Sequence, residues 1–300
     1  MSVISAARRP LREPAAPPKS PSGRGLGGRI TGMLIMTVAA VYVLVPLWWL
    51  LVGATKSQAQ LVDGSPLWFD DFRLAENLRA LFSYRDGIFV RWLGNSLAYT
   101  GGAALLGTLL SGMCGYALAK YRFRGREVLF NVILGGVLVP ATALALPLFL
   151  MFSKMHAANT FWSVFIPSLV NPFGVYLARI YASASVPDDL LEAARIDGAG
   201  EARTFFTVSA RLMVPAFITI FLFHFVAIWN NFLLPLIMLG DEKLFPVTLG
   251  LYTWNSQADQ NPQLRGLVLI GALVSIIPMI IIFLLLQRFW RGGLGTGSLK

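Results

Sequence analysis

The residues of this chain best suited to specific chemistry lie between positions 179 and 215, where charged and polar side chains interrupt a largely apolar sequence. Glu192-Ala193-Ala194 is followed by Asp197, Gly198 and Ala199. Small Ala193, Ala194, Gly198 and Ala199 would let a partner's surface approach closely, although residues of these types alone more often make a solvated loop with helical propensity. Elsewhere, Asn230-Asn231 sets two uncharged amides in an apolar run, where they can hydrogen-bond solute hydroxyls or, more commonly, neighbouring helices. His224 lies in the same run, and His156 in a short polar stretch that reads as surface. Catalytic motifs do not emerge. Gly53-Ala54-Thr55-Lys56-Ser57 ends like a phosphate loop but lacks the glycine before lysine, and neither a His-Glu-x-x-His nor a Gly-x-Ser-x-Gly pattern occurs. Cys114 is the only cysteine, which excludes an intrachain disulfide and a cysteine-built metal site. No catalytic residue, metal ligand or bound cofactor is expected.

The docking residues need local elements to hold them. Ser185 and Asp188 have capping-box spacing, Pro187 suits a first helical turn, and Asp188 and Asp189 favour the positive end of a helix. A short helix therefore starts near Pro187, with Leu190, Leu191 and Ala194 clustered on one face. Gly198 supplies the left-handed conformation that stops it after Asp197. Glu201 to Ala210 restarts a second helix, and the two form a knob.

The surrounding chain is 56% hydrophobic and 13% charged, too apolar for an ordinary soluble domain. Six runs are long enough to cross about 30 Å of hydrocarbon at about 1.5 Å per residue. They span 30–52, 92–119, 128–152, 161–178, 212–239 and 266–286. Pro167 and Pro172 interrupt the fourth, which a helix within a bundle tolerates. The fold class is thus an all-α membrane protein with six transmembrane helices and a cytoplasmic two-helix loop, about 179–215, between helices 4 and 5. The membrane domain covers 30–290. Residues 1–29, rich in Pro, Arg, Gly and Ser, read as a disordered basic tail, and 291–300 as a glycine-rich tail. The 23 uncharged residues from Ile30 exceed a signal peptide's usual apolar stretch of about 7 to 15, which favours an uncleaved helix.

Net charge is +10, and its distribution matters more than its size. With the N-terminus inside, 17 of the 25 Lys and Arg residues face the cytoplasm, including Lys120, Arg122, Arg124 and Arg126. Both termini and the Glu192 loop then lie on the cytoplasmic side. The basic run 120–126 reads as a topology anchor near anionic headgroups.

The sequence resembles the permeases of ATP-binding-cassette (ABC) importers. The resemblance rests on Glu192-Ala193-Ala194, three residues, Gly198, then Val208 and Pro215. It extends to Asn95-Ser96-Leu97, Gly115 to Gly125, Trp229-Asn230-Asn231-Phe232 and the tail from Gly292, all similar to sugar permeases of the maltose-permease type. One departure is Ala210-Arg211, where that family usually shows Leu-Pro. The resemblance implies a prokaryotic cell membrane and a non-catalytic subunit paired with a second permease. It also implies two ATPase subunits that use ATP and Mg2+, and an extracytoplasmic solute-binding protein that delivers a sugar. Glu192, Ala193, Ala194, Asp197, Gly198 and Ala199 then form the ATPase-docking loop, and Asn230 and Asn231 are candidates for the substrate path. A permease for glycerol phosphate or another polar solute is the alternative, with an ion-coupled secondary carrier behind it. Against the carrier, the six spans hold no Asp, Glu, Lys or Arg near their centres, where coupling ions usually bind.

Three further features carry expectations. Ala103, Gly107, Ser111 and Gly115 recur every four residues, a small-residue stripe on which a helix packs closely. Leu74, Leu78, Leu81 and Phe82 have helical spacing, which favours lying along the membrane interface. Tyr252 and Trp254 suit an aromatic belt at the headgroups.

Overall fold

The computed structural model describes residues 26–294, with side chains from 28 to 289, and no strand occurs among them. The 1–29 and 291–300 tails fall largely outside the described residues, although the first helix already begins at Leu26 and the last runs to Leu294. By contacts the chain forms two units, Met1–Trp48 and Trp49–Lys300. The described part of the first is the body of α1 (Leu26–Ala54), whose apolar side chains from Ile30 to Trp48 are exposed.

The second unit is built on α4 (Ile88–Lys120). Before it come α2 (Gln58–Asp63), held by a Ser57–Gln60 capping box, and α3 (Leu74–Ser83). The apolar face of helix α3 is covered by the protein's own core. Leu81 is fully buried, and Leu74 and Leu78 pack with it into a core shared with Phe89, Trp92, Trp254, Leu264 and Ile270. Amphipathic spacing states that one face seeks apolar company; here protein supplies it.

Helix α5 (Arg126–Leu138) meets α6 (Ala141–Lys154) at 101°, with Val139 and Pro140 at the corner. Proline at 140 disfavours helical backbone at Val139, whose ψ is 119°. The next crossing consists of α7 (Phe161–Phe165), a 3-10 turn at Pro167–Leu169 and α8 (Pro172–Ser185). Pro172 stands at the start of α8, where its missing N–H is no loss, and Asn171 Oδ1 caps the helix by accepting from Gly174 N at 2.9 Å.

The loop expected between the fourth and fifth spans follows as α9 (Asp188–Ile196), α10 (Glu201–Thr204), a π-helical turn at Phe205–Ser209 and α11 (Ala210–Leu212). Helix α12 (Val214–Trp229) leaves at 81° to the preceding helical run. The fifth run does not continue to Leu239. It breaks at Asn230 to Phe232, and α13 (Leu233–Met238) is a separate piece. Then come α14 (Val247–Gln257) and α15 (Gln263–Leu294). Among the described residues four helical stretches are long and apolar enough to cross a membrane, or six if each bent pair counts as one span.

The small-residue stripe of α4 is where the unit closes. A Cβ added at Gly115 would stand 2.5 Å from Ala178 Cβ and 2.7 Å from Arg179 N, and one at Gly107 2.4 Å from His224 Cε1. Ala103 and Ser111 are buried beside them, and Ser111 Oγ donates to Asn171 O at 3.2 Å. The stripe packs α4 on α8 and α12 of the same chain.

At the opposite end, Asn95 Nδ2 donates to Lys243 O and Phe245 O at 2.9 and 3.0 Å, while Ser96 Oγ accepts from Val247 N at 2.7 Å. The Asn95-Ser96 pair thus clamps the segment that leads into α14. Trp254 is buried at 1% exposure, with its ring 4.6 Å from that of Trp92, so it is core rather than belt; Tyr252 remains exposed.

Candidate functional site

The loop between α8 and α12 is anchored before it is exposed. Leu191 of α9 and Phe205 of the π turn insert into a cluster with Tyr116, Ala178, Ala182, Met213 and Ile220. Burying one leucine side chain contributes roughly 2 kcal/mol, so the cluster fixes the loop to the ends of α4, α8 and α12. Leu190, expected on the same face as Leu191, is 45% exposed.

Polar ties reinforce the anchor. Lys120 Nζ bonds Asp188 Oδ1 at 2.8 Å, and the lysine side chain is only 7% exposed. Tyr121 OH donates to Glu201 Oε2 at 2.8 Å, and Arg195 Nε donates to Glu201 Oε1 at 3.0 Å. The hydrogen bond from Lys120 holds the Asp188 carboxyl below its usual range. Burial, then the bond to Glu201, pushes the Tyr121 hydroxyl well above the usual phenol range. Ser185 forms no capping box. It is the last residue of α8, and Asp188 turns to Lys120 instead.

Gly198 ends α9 as its position predicts. Its φ is +77°, its N–H donates to Arg195 O at 3.0 Å, and Ala199 N donates to Ala194 O at 2.9 Å. These two bonds make a Schellman motif, with nothing within 4 Å of a Cβ at Gly198.

What this scaffold presents is a short exposed ridge. Glu192, Ala193, Asp197 and Gly198 are exposed, Ala194 and Ala199 half-buried, and Ile196 is 86% exposed. Among the described residues Asp189, Glu192 and Asp197 form no salt bridge. The ridge therefore offers an apolar tip between free carboxylates on a backbone that cannot easily give way. Sequence reasoning missed Ile196 as the tip and the Lys120, Tyr121, Arg195 and Glu201 ties. Lys120 and Tyr121, polar at the end of an apolar run, were the available signal.

Asn230 and Asn231 occupy the break between α12 and α13. Asn230 Nδ2 donates to Val226 O at 2.9 Å, and Asn231 Oδ1 accepts from Leu234 N at 3.3 Å, so both amides cap helix ends. Asn230 is exposed on the same face as Phe223 and Ala227. Asn231 lines a narrow cleft of about 10 Å3, room for about one water, with Ser96, Tyr99, Ser168 and Trp229. His224 is buried against Gly107. Among the described residues no group of three or more His, Cys, Asp or Glu is placed to hold a metal.

Comparison with known proteins gives this architecture a family. A family model described as "Binding-protein-dependent transport system inner membrane component" matches residues 107–292. The arabinooligosaccharides transport system permease protein AraQ of Bacillus subtilis is 33% identical over 281 residues, covering 91% of this chain and 96% of AraQ. The lactose transport system permease protein LacG of Rhizobium radiobacter is 30% identical, covering 87% and 93%. A chain from the crystal structure of a bacterial ABC transporter involved in the import of the acidic polysaccharide alginate matches with a TM-score of 0.76 at 24% identity, over 89% of this chain and 98% of that one. At that identity the likeness speaks for the fold. The matched model takes in α4 from Gly107, the whole anchored loop and α12, and the relatives extend the match over most of the rest. This multi-pass membrane protein belongs to the family of binding-protein-dependent transport system inner membrane components, the ABC importer permeases.

Proposed function

We propose that this chain is the non-catalytic membrane subunit of an ATP-driven importer for a sugar, from mono- to oligosaccharide, in the cell membrane of a prokaryote. Relatives named for arabinooligosaccharides and lactose support the substrate class. The observation that carries the reading is the exposed ridge of α9 on an anchored base. Glu192, Ala193, Ala194, Asp197, Gly198 and Ala199 dock a separate ATPase, which alone uses ATP and Mg2+. Leu191 and Phe205 pass its displacement to α4, α8 and α12. A second permease completes the path, two ATPase subunits drive it, and an extracytoplasmic binding protein delivers the sugar. Such coupling requires the ridge to bind the ATPase differently in the inward- and outward-open states. Both termini lie in the cytoplasm in this reading, which the distribution of Lys and Arg supports.

The break at Asn230 and Asn231 belongs to the substrate path in this reading, since helix interruptions inside membrane proteins sit where backbone lines a cavity. A permease for glycerol phosphate or another polar solute has the same architecture, and transport assays separate them. In proteoliposomes holding the whole complex, labelled sugar accumulates only with internal ATP and the loaded binding protein. Cysteines at 192 and 197 crosslink to the ATPase from the cytoplasmic side. Uptake driven by an ion gradient without ATP would overturn the reading, as would labelling of position 197 from outside.

A further inference from the structure

The arginines at the end of α5 that faces the docking loop surround a groove which neither the loop nor the substrate path uses. Arg179, in the last turns of α8, is 17% exposed at its side chain. Its guanidinium lies 3.9 Å over the Phe130 ring of α5, and Nη2 contacts Glu127 Oε1 at 2.6 Å. Its Nη1 is buried and has no hydrogen-bond partner.

Beside it an open groove of about 490 Å3 runs between α5 and α8, lined by Phe130, Asn131, Tyr176, Arg179, Ile180 and Ser183. A second opening at the same end is formed by Arg122, Arg124 and Arg126 around Phe123. Arg122, Phe123 and Arg124 are exposed. Glu127 is the one carboxylate in the combined lining and is already shared by Arg126 and Arg179 at 3.0 and 2.6 Å. Four arginines against one glutamate leave the groove cationic. Beside the openings α5 presents an apolar surface: it has no buried residue, and Val128 and Val132 are 68% and 67% exposed. Cations at the openings and bare aliphatic wall beside them match an acidic lipid, phosphate at the head and chains along the helix.

We propose that the α5–α8 groove and the adjoining opening, which meet at Glu127, form a binding site for an anionic phospholipid, with its phosphate held by the arginines at 122, 124 and 126 beside the Arg179 guanidinium. Phosphate suits guanidinium because the planar fork offers two parallel N–H groups. Ser183 and Asn131 add uncharged hydrogen-bonding groups for the glycerol or headgroup hydroxyls. The lipid then braces α5 against α8 next to the anchored loop. The site depends on the proposed orientation only in that the occupied leaflet is the cytoplasmic one.

The test uses the whole transporter complex, purified in mild detergent and supplied with phosphatidylglycerol or phosphatidylcholine. Retained lipid is counted by native mass spectrometry. Phosphatidylglycerol should be retained in preference to phosphatidylcholine, and Arg122→Gln with Arg124→Gln should weaken it about fivefold per arginine removed. Both residues are exposed, so this variant keeps its fold; Arg179→Gln is the second variant and should weaken retention by a similar factor. Equal retention of the two lipids, no change in either variant, or displacement by millimolar inorganic phosphate would overturn the proposal, the last by marking a soluble-anion site. Crosslinking of position 197 to the ATPase should persist in the exposed double variant, which separates failure of this site from failure of the docking ridge.

Discussion

Lys120 Nζ lies 2.8 Å from Asp188 Oδ1, so the last residue of α4 is bonded to the first residue of α9 across 68 positions of sequence. The pair sets how the docking ridge responds to acid. Asp188 titrates below the ordinary aspartate value of about 3.9. A carboxyl depressed in the folded state contributes above its unfolded value, and the contribution is lost as pH falls through the folded one. Amide-exchange protection across 188–196 should therefore be flat from neutrality down to about pH 5 and fall only in stronger acid. Asp188→Asn should lower protection at neutral pH and remove the acid step; an unchanged acid step in that variant would point to another group.

Gly115 tests the close contact of α4 with α8. Its added Cβ would meet Ala178 Cβ and the backbone at Arg179 N and Val175 O within 2.8 Å, and backbone cannot swing aside. Gly115→Ala should destabilise by about 1–3 kcal/mol. Gly101, in the same helix, has nothing within 4 Å, so Gly101→Ala should stabilise by about 0.5–1 kcal/mol through helix propensity. Thermal unfolding in detergent reads both, and equal shifts would refute the contact.

Gly198 tests the end of α9. The site is open, so a side chain meets no atom and the only penalty is its φ of +77°. Gly198→Ala should cost about 1–2 kcal/mol locally and Gly198→Asn less, since asparagine tolerates left-handed backbone. Gly198→Pro also removes the N–H to Arg195 O, and it should uncouple uptake from ATP while the spans stay folded. Normal uptake in the proline variant would remove α9 from the coupling path.

Leu191 and Ile196 separate anchoring from docking. Leu191 is 3% exposed and Ile196 86%. Leu191→Ala should destabilise by about 2–4 kcal/mol and loosen the whole loop. Ile196→Ala should leave unfolding unchanged and weaken capture of the ATPase. If Ile196→Ala binds the ATPase as the parent does, the apolar tip is not the contact.

How far these features were legible depends on the range of the forces behind them. Gly198 was readable because a left-handed helix stop is a requirement of one residue and its two neighbours. The Gly107–Gly115 stripe was readable as close packing for the same reason. Ser185 misled because its local pairing with Asp188 competes with Lys120, brought close only by the fold. Helix α3 was correctly periodic, yet periodicity does not say whether lipid or Leu264 and Ile270 cover the apolar face. The end of α12 at Trp229 was hidden inside an apolar run, and only the amides of Asn230 and Asn231, each bonding backbone nearby, mark it.

The contact at Gly115 has a mechanical corollary. With backbone resting on backbone, α4 and α8 have no cushion of flexible side chains in which a small shove could be dissipated. Effort arriving at one is relayed to the other nearly undiminished, so the two behave as a single strut, and the molecule's compliance must reside at its corners: Pro140, Met213 and the Asn230 gap.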